Sequence, residues 1–583
     1  MCGIWAFIEL IKQKVNYTAL FNDFNNIKHR GPDTSSFQTI KNVSIGFHRL
    51  AIMDLTLHAN QPYILEDNER TIIFVCNGEI YNFKELIEKH NLDIKTNSDC
   101  MTIPKLYIKY VKSGDCDISD FVDVFKTDIK GEFAFALFEF DKFQNIKHLI
   151  IGRDEIGIRP LYINYPTSTS SGLMISSEIK GMHSLSLSLD ETVKEFQPGT
   201  LYKIDFNIWG KINFNESNTY SFKTVHTTMP KEINKYYINN NGICPEILTS
   251  VQTSFNNSLL TNIQTSVINS IKRRLVSERP VAFLLSGGVD SSLVAAISAK
   301  ILGQPIKTFC CGMSEGTDLL YARKVAEHIG SSHTEVFFTP EEGLDAIRDV
   351  IWTTETWDTT TIRASVGQYL VCKHIGTKTD AKVVLVGEGP DEVCSSYLFN
   401  YYAPSGEALH SAALDYVKEI HMFDGRRADR CISRWGLEGR IALLDPEFIS
   451  AYWLIPDELR HPKNKGIEKW WLRKAFDTTD ILPHDVLWRK KEAFSDGVSG
   501  KEKSWFEIIQ EHINEKVSDE EFLSQTINAP TKEAYYYKKI FIEFFGEKRL
   551  DILPHYWQPK WSASGVETTT AYVDPSARTL NVY

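Results

Sequence analysis

Residues 280–292 read PVAFLLSGGVDSS, and the helical run SSLVAAISAKIL (291–302) overlaps their end. An apolar strand, PVAFLL (280–285), enters a glycine turn that opens straight into a helix. Working outward, the alternation repeats. VINSIKRRL (267–275) precedes it as a helix; IKTFCCGM (306–313), HTEVFF (333–338) and KVVLVGE (382–388) follow as strands, with LLYARKVAEHIG (319–330) as a helix among them. Strands alternating with helices imply right-handed crossovers and a parallel, doubly wound sheet, in which ligands sit beyond the carboxyl ends of the strands.

The turn has the chemistry of an anion site. Gly287 and Gly288 let backbone N–H groups approach a phosphate, and the helix N-terminus adds partial positive charge. Ser286, Ser291 and Ser292 offer hydroxyls. Asp290 fits beside a phosphate if Mg²⁺ lies between them. No Lys-Ser/Thr follows the glycines, so the loop is not a Walker A loop. A second loop, Gly387-Glu388-Gly389-Pro390-Asp391-Glu392, ends strand KVVLV. Both loops then face one cleft, with Asp290 and Asp391 as partners for one Mg²⁺.

The first ~200 residues read differently. VSIGFHRLAI (43–52), TIIFVCNGEI (71–80), FAFALFEFD (133–141), HLIIGRDEIG (148–157) and LMISSEI (173–179) are strand runs. NFKELIEKH (82–90) and MTIPKLYIKYV (101–111) are helical. This is a mostly antiparallel sheet system with helices packed on it. Asn, Ser and Thr crowd residues 209–264, which read as a linker or insertion. Three units follow: 1–208, the linker 209–264, and 265–583.

Cys2 follows Met1. Removal of Met1 leaves a thiol whose own α-amine, with pKa near 8, can serve as base. Arg49 carries a guanidinium that can fork onto a substrate carboxylate. Asn77 and Gly78 supply an amide and an unhindered backbone N–H, the donors of an oxyanion hole. Asp99 can pair with an ammonium. Together they describe a site for a free amino-acid amide.

Composition narrows the class. The chain has 583 residues, 43 % apolar and 12 % aromatic, with net charge −11. An acidic balance gives no footprint for nucleic acid. No run of about 18 apolar residues suggests a membrane span, and the start lacks the basic region of a signal peptide. Ten scattered cysteines without CxxC pairs read as reduced thiols of a cytoplasmic protein.

MCGI, RGPD (30–33), HRLAIMD (48–54), Gln61-Pro62, NGEIYN (77–82), GRDEIGIRPLY (152–162) and SSEIKG (176–181) resemble the N-terminal-nucleophile (Ntn) glutaminase domain of class II amidotransferases. LLSGGVDSSLVA (284–295), TTTIRAS (359–365), GEGPDEV (387–393), RRADRCISRWGLEGRIALLD (426–445), RKAF (473–476), RKKEAFSDGV (489–498) and DPSARTLNVY (574–583) resemble the synthetase domain of glutamine-hydrolysing asparagine synthetases. The resemblance spans nearly the whole chain outside 209–264.

It implies a four-layer αββα Ntn-hydrolase domain joined to an ATP-pyrophosphatase-like α/β domain, with ATP, glutamine and aspartate as substrates, Mg²⁺ as cofactor, and a homodimer by analogy. Cys2 would form a thioester, Asn77 and Gly78 would hold the oxyanion, and Arg49, Asn77, Glu79 and Asp99 would bind glutamine. Leu284 or Leu285 with Cys311 would lie near AMP, Val386 and Gly387 would bind ATP or pyrophosphate, and the Ser286–Ser292 loop would take pyrophosphate. Lys491 would neutralise phosphate charge. Glu388 would orient or deprotonate ammonia or hold the aspartate amine, with Thr360, Thr361 and Arg363 lining the same site. The implied reaction makes β-aspartyl-AMP and pyrophosphate, then asparagine with ammonia carried through an enclosed passage.

The sequence departs from the family's SGEGSDE and following GGY: Val386 and Pro390 replace the serines, and Ser395-Ser396 the glycines; Met101 replaces the Glu of SDCE. Proline removes an N–H donor and fixes φ, so the loop is expected to hold its ligand differently. His29, His48 and the Trp470-Trp471 pair read as structural, Cys310-Cys311 as reduced and buried, and SDEEF (518–522) as a solvated helix start. Rival readings are an amidotransferase on another carboxylate, a β-lactam former, and a non-catalytic sensor or storage homologue; Cys2, Asp290 and Lys491 speak against the last.

Overall fold

The computed structural model describes residues 1–10, 16–114, 117–164, 172–187, 192–207, 212, 218–222, 245–492, 497–500, 503–562 and 567–568. Two six-stranded sheets and one five-stranded sheet organise them. The first sheet orders β10 (Val193–Glu195), β8 (Tyr162–Asn164), β9 (Gly172–Ser176), β1 (Gly3–Glu9), β3 (Val43–Arg49) and β2 (Thr34–Ile40). The second orders β12 (Asn218–Ser221), β11 (Thr200–Asp205), β7 (Ile146–Arg153), β6 (Gly131–Asp141), β5 (Arg70–Ile80) and β4 (Tyr63–Asp67). Their strand pairings are antiparallel.

Period-2 side-chain direction explains the layers. On β1, Ile4, Ala6 and Ile8 meet Ile73, Val75, Ala134 and Ala136 between the sheets. Trp5 and Phe7 point the other way, onto Leu20 and Phe24 of helix Tyr17–Asn26. On β5, Phe74 and Cys76 face away from that interior, toward helices Phe83–Lys89, Thr102–Tyr110 and Ser119–Thr127. Helix, sheet, sheet, helix is the expected αββα sandwich.

The third sheet is parallel, ordered β15 (Ser332–Phe337), β14 (Lys307–Gly312), β13 (Val281–Leu284), β16 (Val383–Val386) and β17 (Glu438–Ile441). Chain order reverses at β13, so the loops after β13 and β16 are neighbours at a switch point. They touch closely: a Cβ on Gly387 would lie 2.6 Å from the Ser291 backbone nitrogen. No described helix is long and apolar enough to cross a membrane.

The linker expected over 209–264 is corrected at both ends. Asn218–Ser221 adds edge strand β12 to the second sheet, and residues from 245 form helix Pro245–Arg274. The helix persists because Leu259, Ile263, Val267 and Ile271 recur at helical spacing and bury in the core around the parallel sheet; its Asn/Ser/Thr content lies on other positions. Residues 209–211, 213–217 and 223–244 of the Asn-rich stretch, and the terminal DPSARTLNVY, lie outside the described residues. Trp471 is buried, as expected, and Ser518 caps helix Asp519–Leu523.

Candidate active sites

β1 brings Cys2 beside the ends of β3 and β5. The Cys2 backbone N–H donates to Asn77 Oδ1 at 2.8 Å, and Leu50 N–H donates to Cys2 Sγ at 3.4 Å. Asn77 is buried, and its Nδ2 has no hydrogen-bond partner among the described residues. A buried amide donor left unpaired costs free energy, which an oxyanion would recover. A Cβ at Gly78 would fall 2.3 Å from Glu132 O, so glycine is required there. Burial pushes the Cys2 thiol up to about 11 and the Met1 amine down to about 6.

The residues expected to clamp an amino acid are differently placed. Asp99 accepts the Ile80 N–H at 2.6 Å, and burial pushes its carboxyl up to about 6. Glu79 is buried and pairs with Arg440 at 3.3 Å, a residue of β17 in the other unit. Burial also raises Glu79, with Glu438 nearby adding to it. Arg49 does not stand open. Its guanidinium donates to Thr56 O (2.8 Å), Asn60 Oδ1 (2.6 Å) and Asp54 O, so it shapes the 53–60 loop.

The second site is the cleft at the switch point, about 1080 Å³ to its open mouth. Leu284, Leu285, Ser286, Gly288, Ser291 and Cys311 line one wall, and Gly387 and Glu388 another. Asp290 and Asp391 meet across it through Lys469, whose ammonium contacts Asp290 and lies 2.6 Å from Asp391 Oδ1. Lys491 Nζ donates to Asp391 Oδ2 at 2.6 Å. Burial alone would raise Asp391, but these two ammoniums outweigh it and hold the carboxyl well down. Asp290 stays raised by burial, despite Lys469. Glu388 Oε1 accepts from Gln368 Nε2 (2.9 Å) and Arg427 Nη1 (3.1 Å), and burial raises it against the Arg427 charge.

An asparagine synthase family model matches residues 262–415 and 403–570, and a glutamine amidotransferase domain model matches 1–230. The glutamine-hydrolysing asparagine synthetases of Gallus gallus and Homo sapiens are each 38 % identical, covering 100 % of this chain and 99 % of theirs. The chain belongs to the glutamine-hydrolysing asparagine synthetase family. The solved glutamine phosphoribosylpyrophosphate amidotransferase from B. subtilis, complexed with ADP and GMP, aligns over 58 % of this chain and 81 % of its own at 14 % identity and TM-score 0.30, too distant to carry an argument.

Several residues expected from that family's synthetase site sit elsewhere. Arg363 is forked onto Glu533, at 2.8 and 2.6 Å, with both side chains buried. Thr361 Oγ1 donates to Asp358, which caps the same helix, Thr359–Lys378, and Thr360 Oγ1 donates to Trp557 O. None of the three is among the cleft-lining residues; they secure the helix that presents Gln368. Val386, Gly287 and Ser292 also stand behind the wall. Val386 is wholly buried as the last residue of β16.

Other residues emerged only from the fold. Lys469, inside GIEKWWLRKAF, gives no sequence signal beyond a charged residue before an apolar helix. Arg30 donates from Nε to Cys2 O at 2.9 Å and forks onto Asp429. Pro390 proves compatible with the loop. It occupies the first turn of helix Pro390–Val393, where the N–H is unpaired anyway. Ser395 takes φ +53°, and Ser396 Oγ donates to Asp391 Oδ1 at 2.5 Å. His48 is structural: Nδ1 contacts Ser35 Oγ and Nε2 contacts Phe24 O. His29 pairs with Glu178 at 3.1 Å.

Proposed function

We propose that the unit around Cys2 hydrolyses glutamine and that the cleft around Asp290 and Asp391 adenylates aspartate, yielding asparagine, glutamate, AMP and diphosphate. The observation that carries this is the convergence of Asp290 and Asp391, from two adjacent strand ends, with Lys469 and Lys491 in the cleft that also holds Glu388. Cations and carboxylates interleaved at a switch point suit a nucleoside triphosphate bearing its own metal.

With Met1 removed, the Cys2 amine remains next to Asn77 Oδ1 and can take the thiol proton. Sγ then bonds to the glutamine amide carbon, Asn77 Nδ2 and Gly78 N–H hold the oxyanion, ammonia leaves, and water releases glutamate. In the cleft an aspartate β-carboxylate oxygen bonds to the α-phosphorus, and pyrophosphate departs toward Lys469 and Lys491. Ammonia replaces AMP at the acyl carbon. Glu388, raised by burial, is suited to take the proton.

Mg²⁺ fits this site: Asp290 Oδ1 is buried without a hydrogen-bond partner among the described residues, and Mg²⁺ takes one or two carboxylates plus phosphate oxygens. Asp290 and Asp391 would hold it, and it would neutralise triphosphate charge. The glutaminase unit runs to about residue 222, by way of β12, and the synthetase unit begins within helix Pro245–Arg274. All eight described cysteines are free, which supports a reducing cytoplasm. The homodimer rests on family likeness alone. On this reading ammonia passes between the units, which Arg440 of β17 joins through its ion pair with Glu79. The test is competition by external ammonia: full dilution of glutamine-derived nitrogen rules an enclosed passage out.

A further inference from the structure

The mechanism leaves one buried polar cluster on the cleft wall without a role. Helix Thr317–Ile329 follows β14. Its second turn supports the phosphate loop: Gly287 has φ +74°, and a Cβ there would lie 2.4 Å from Tyr321 Cβ and 2.6 Å from Ala322 N. The first turn holds the segment bearing Lys491. Arg489 Nη2 donates to Asp318 Oδ1 at 3.1 Å and to Glu492 Oε2 at 2.9 Å, while Thr317 Oγ1 donates to the same Glu492 oxygen at 2.7 Å. The Arg489 guanidinium also lies 4.0 Å over the Tyr321 ring. Farther along, Met313 N–H donates to Val498 O at 2.7 Å, and a Cβ on Gly497 would strike the Asp318 carboxylate at about 2.5 Å.

Lys491 is therefore flanked by anchored residues, Arg489 on one side and Glu492 on the other, both tied to the helix that supports the phosphate loop. A lysine ammonium is a point charge on a flexible stem and does not position itself. A group acting on a departing phosphate must be held in place before reaction. We propose that Thr317, Asp318, Arg489 and Glu492 form a latch that fixes Lys491 at a set distance from the phosphate loop, making Asp318 and Arg489 positioning residues for adenylation. The proposal rests on the ATP-to-pyrophosphate reading above. Asp318 is a costly residue to keep otherwise: burial pushes its carboxyl up to about 7 against the Arg489 charge, and the groups facing it are Arg489, Glu492 and Lys491.

The experiment titrates the full chain and its D318N, R489K and K491M variants with inorganic pyrophosphate and, separately, with AMP. Melting temperature and glutamine hydrolysis are followed in parallel. Losing a hydrogen bond to a charged group is expected to weaken pyrophosphate binding about tenfold in D318N and R489K, with AMP binding and glutaminase rate unchanged, while melting falls in D318N because the buried pair with Arg489 is broken. In the K491M background D318N should add nothing, because its effect runs through that ammonium. Equal weakening of AMP and pyrophosphate, or a D318N loss that persists in full without Lys491, overturns the latch. If the unsubstituted chain releases no pyrophosphate from ATP, the ATP reading itself fails and the latch falls with it.

Discussion

Asn77→Asp isolates one donor. The new carboxylate keeps an oxygen for the Cys2 N–H, now 2.8 Å from Asn77 Oδ1, but replaces the buried, unpartnered Nδ2 with a second acceptor. The side chain keeps nearly the same shape, so glutamine should still enter. What changes is the group facing the developing oxyanion. Removing one such donor costs roughly 10²–10³ in kcat, or about 2.7–4 kcal/mol. The added negative charge beside Cys2 also disfavours its thiolate, a thiol burial has already pushed up, so the loss should reach the upper end of that range. The assay is steady-state glutamine hydrolysis with asparagine formation from ammonia measured on the same preparation. Glutaminase kcat should fall by at least about a hundredfold with KM for glutamine little changed and the ammonia reaction intact. A variant within tenfold of the parent, or one that loses only KM, refutes the oxyanion assignment.

Lys491→Met removes one of the two ammoniums that hold Asp391 down; pyrophosphate release should fall more than about a hundredfold while glutamine hydrolysis persists, read by coupled pyrophosphate assay. Asp99 ionises near pH 6 because burial raises it. Its charged form prevails only above that pH, so KM for glutamine should climb as pH drops through about 6, and Asp99→Asn should abolish that dependence in a pH–rate series. Arg363→Met breaks a buried fork with Glu533 and should cost roughly 3–5 kcal/mol of stability, visible in denaturant melts. Its KM for aspartate at permissive temperature should hold, since Arg363 does not line the cleft.

Much of this site could be read without a structure because its chemistry sits in local strings. SGGVDSS needs only a strand before it and a helix after it to define a phosphate loop, and the apolar runs on both sides provide them. Strand runs such as FAFALFEFD made an antiparallel sheet system with packed helices legible, while the four-layer αββα order came from the resemblance. What escaped was non-local. Lys469 joins Asp290 only when helix Trp470–Phe476 packs into the synthetase core, and nothing in GIEKWW points to the loop it meets. β17 hid inside GLEGRIALL because Glu438 and Arg440 are buried by pairing with each other, and Arg440 also with Glu79, remote in sequence. Arg363 was placed at the aspartate site only through the resemblance, and its buried fork with Glu533 escaped because that partner is distant in the chain. The Asn-rich stretch concealed the first part of helix Pro245–Arg274, since the spaced apolar residues Leu259 and Ile263 were diluted by residues of low helix preference.

The central claim is that one chain moves the amide nitrogen of glutamine onto aspartate at the expense of ATP. The direct test supplies amide-¹⁵N glutamine, aspartate, ATP and Mg²⁺ and follows products by mass spectrometry, beside the Cys2→Ala variant given unlabelled ammonia. The account predicts ¹⁵N in asparagine, with AMP and pyrophosphate formed in equal amounts, and an ammonia reaction that survives loss of Cys2. Glutamate released without any consumption of aspartate, or ATP cleaved to ADP and phosphate, would contradict it.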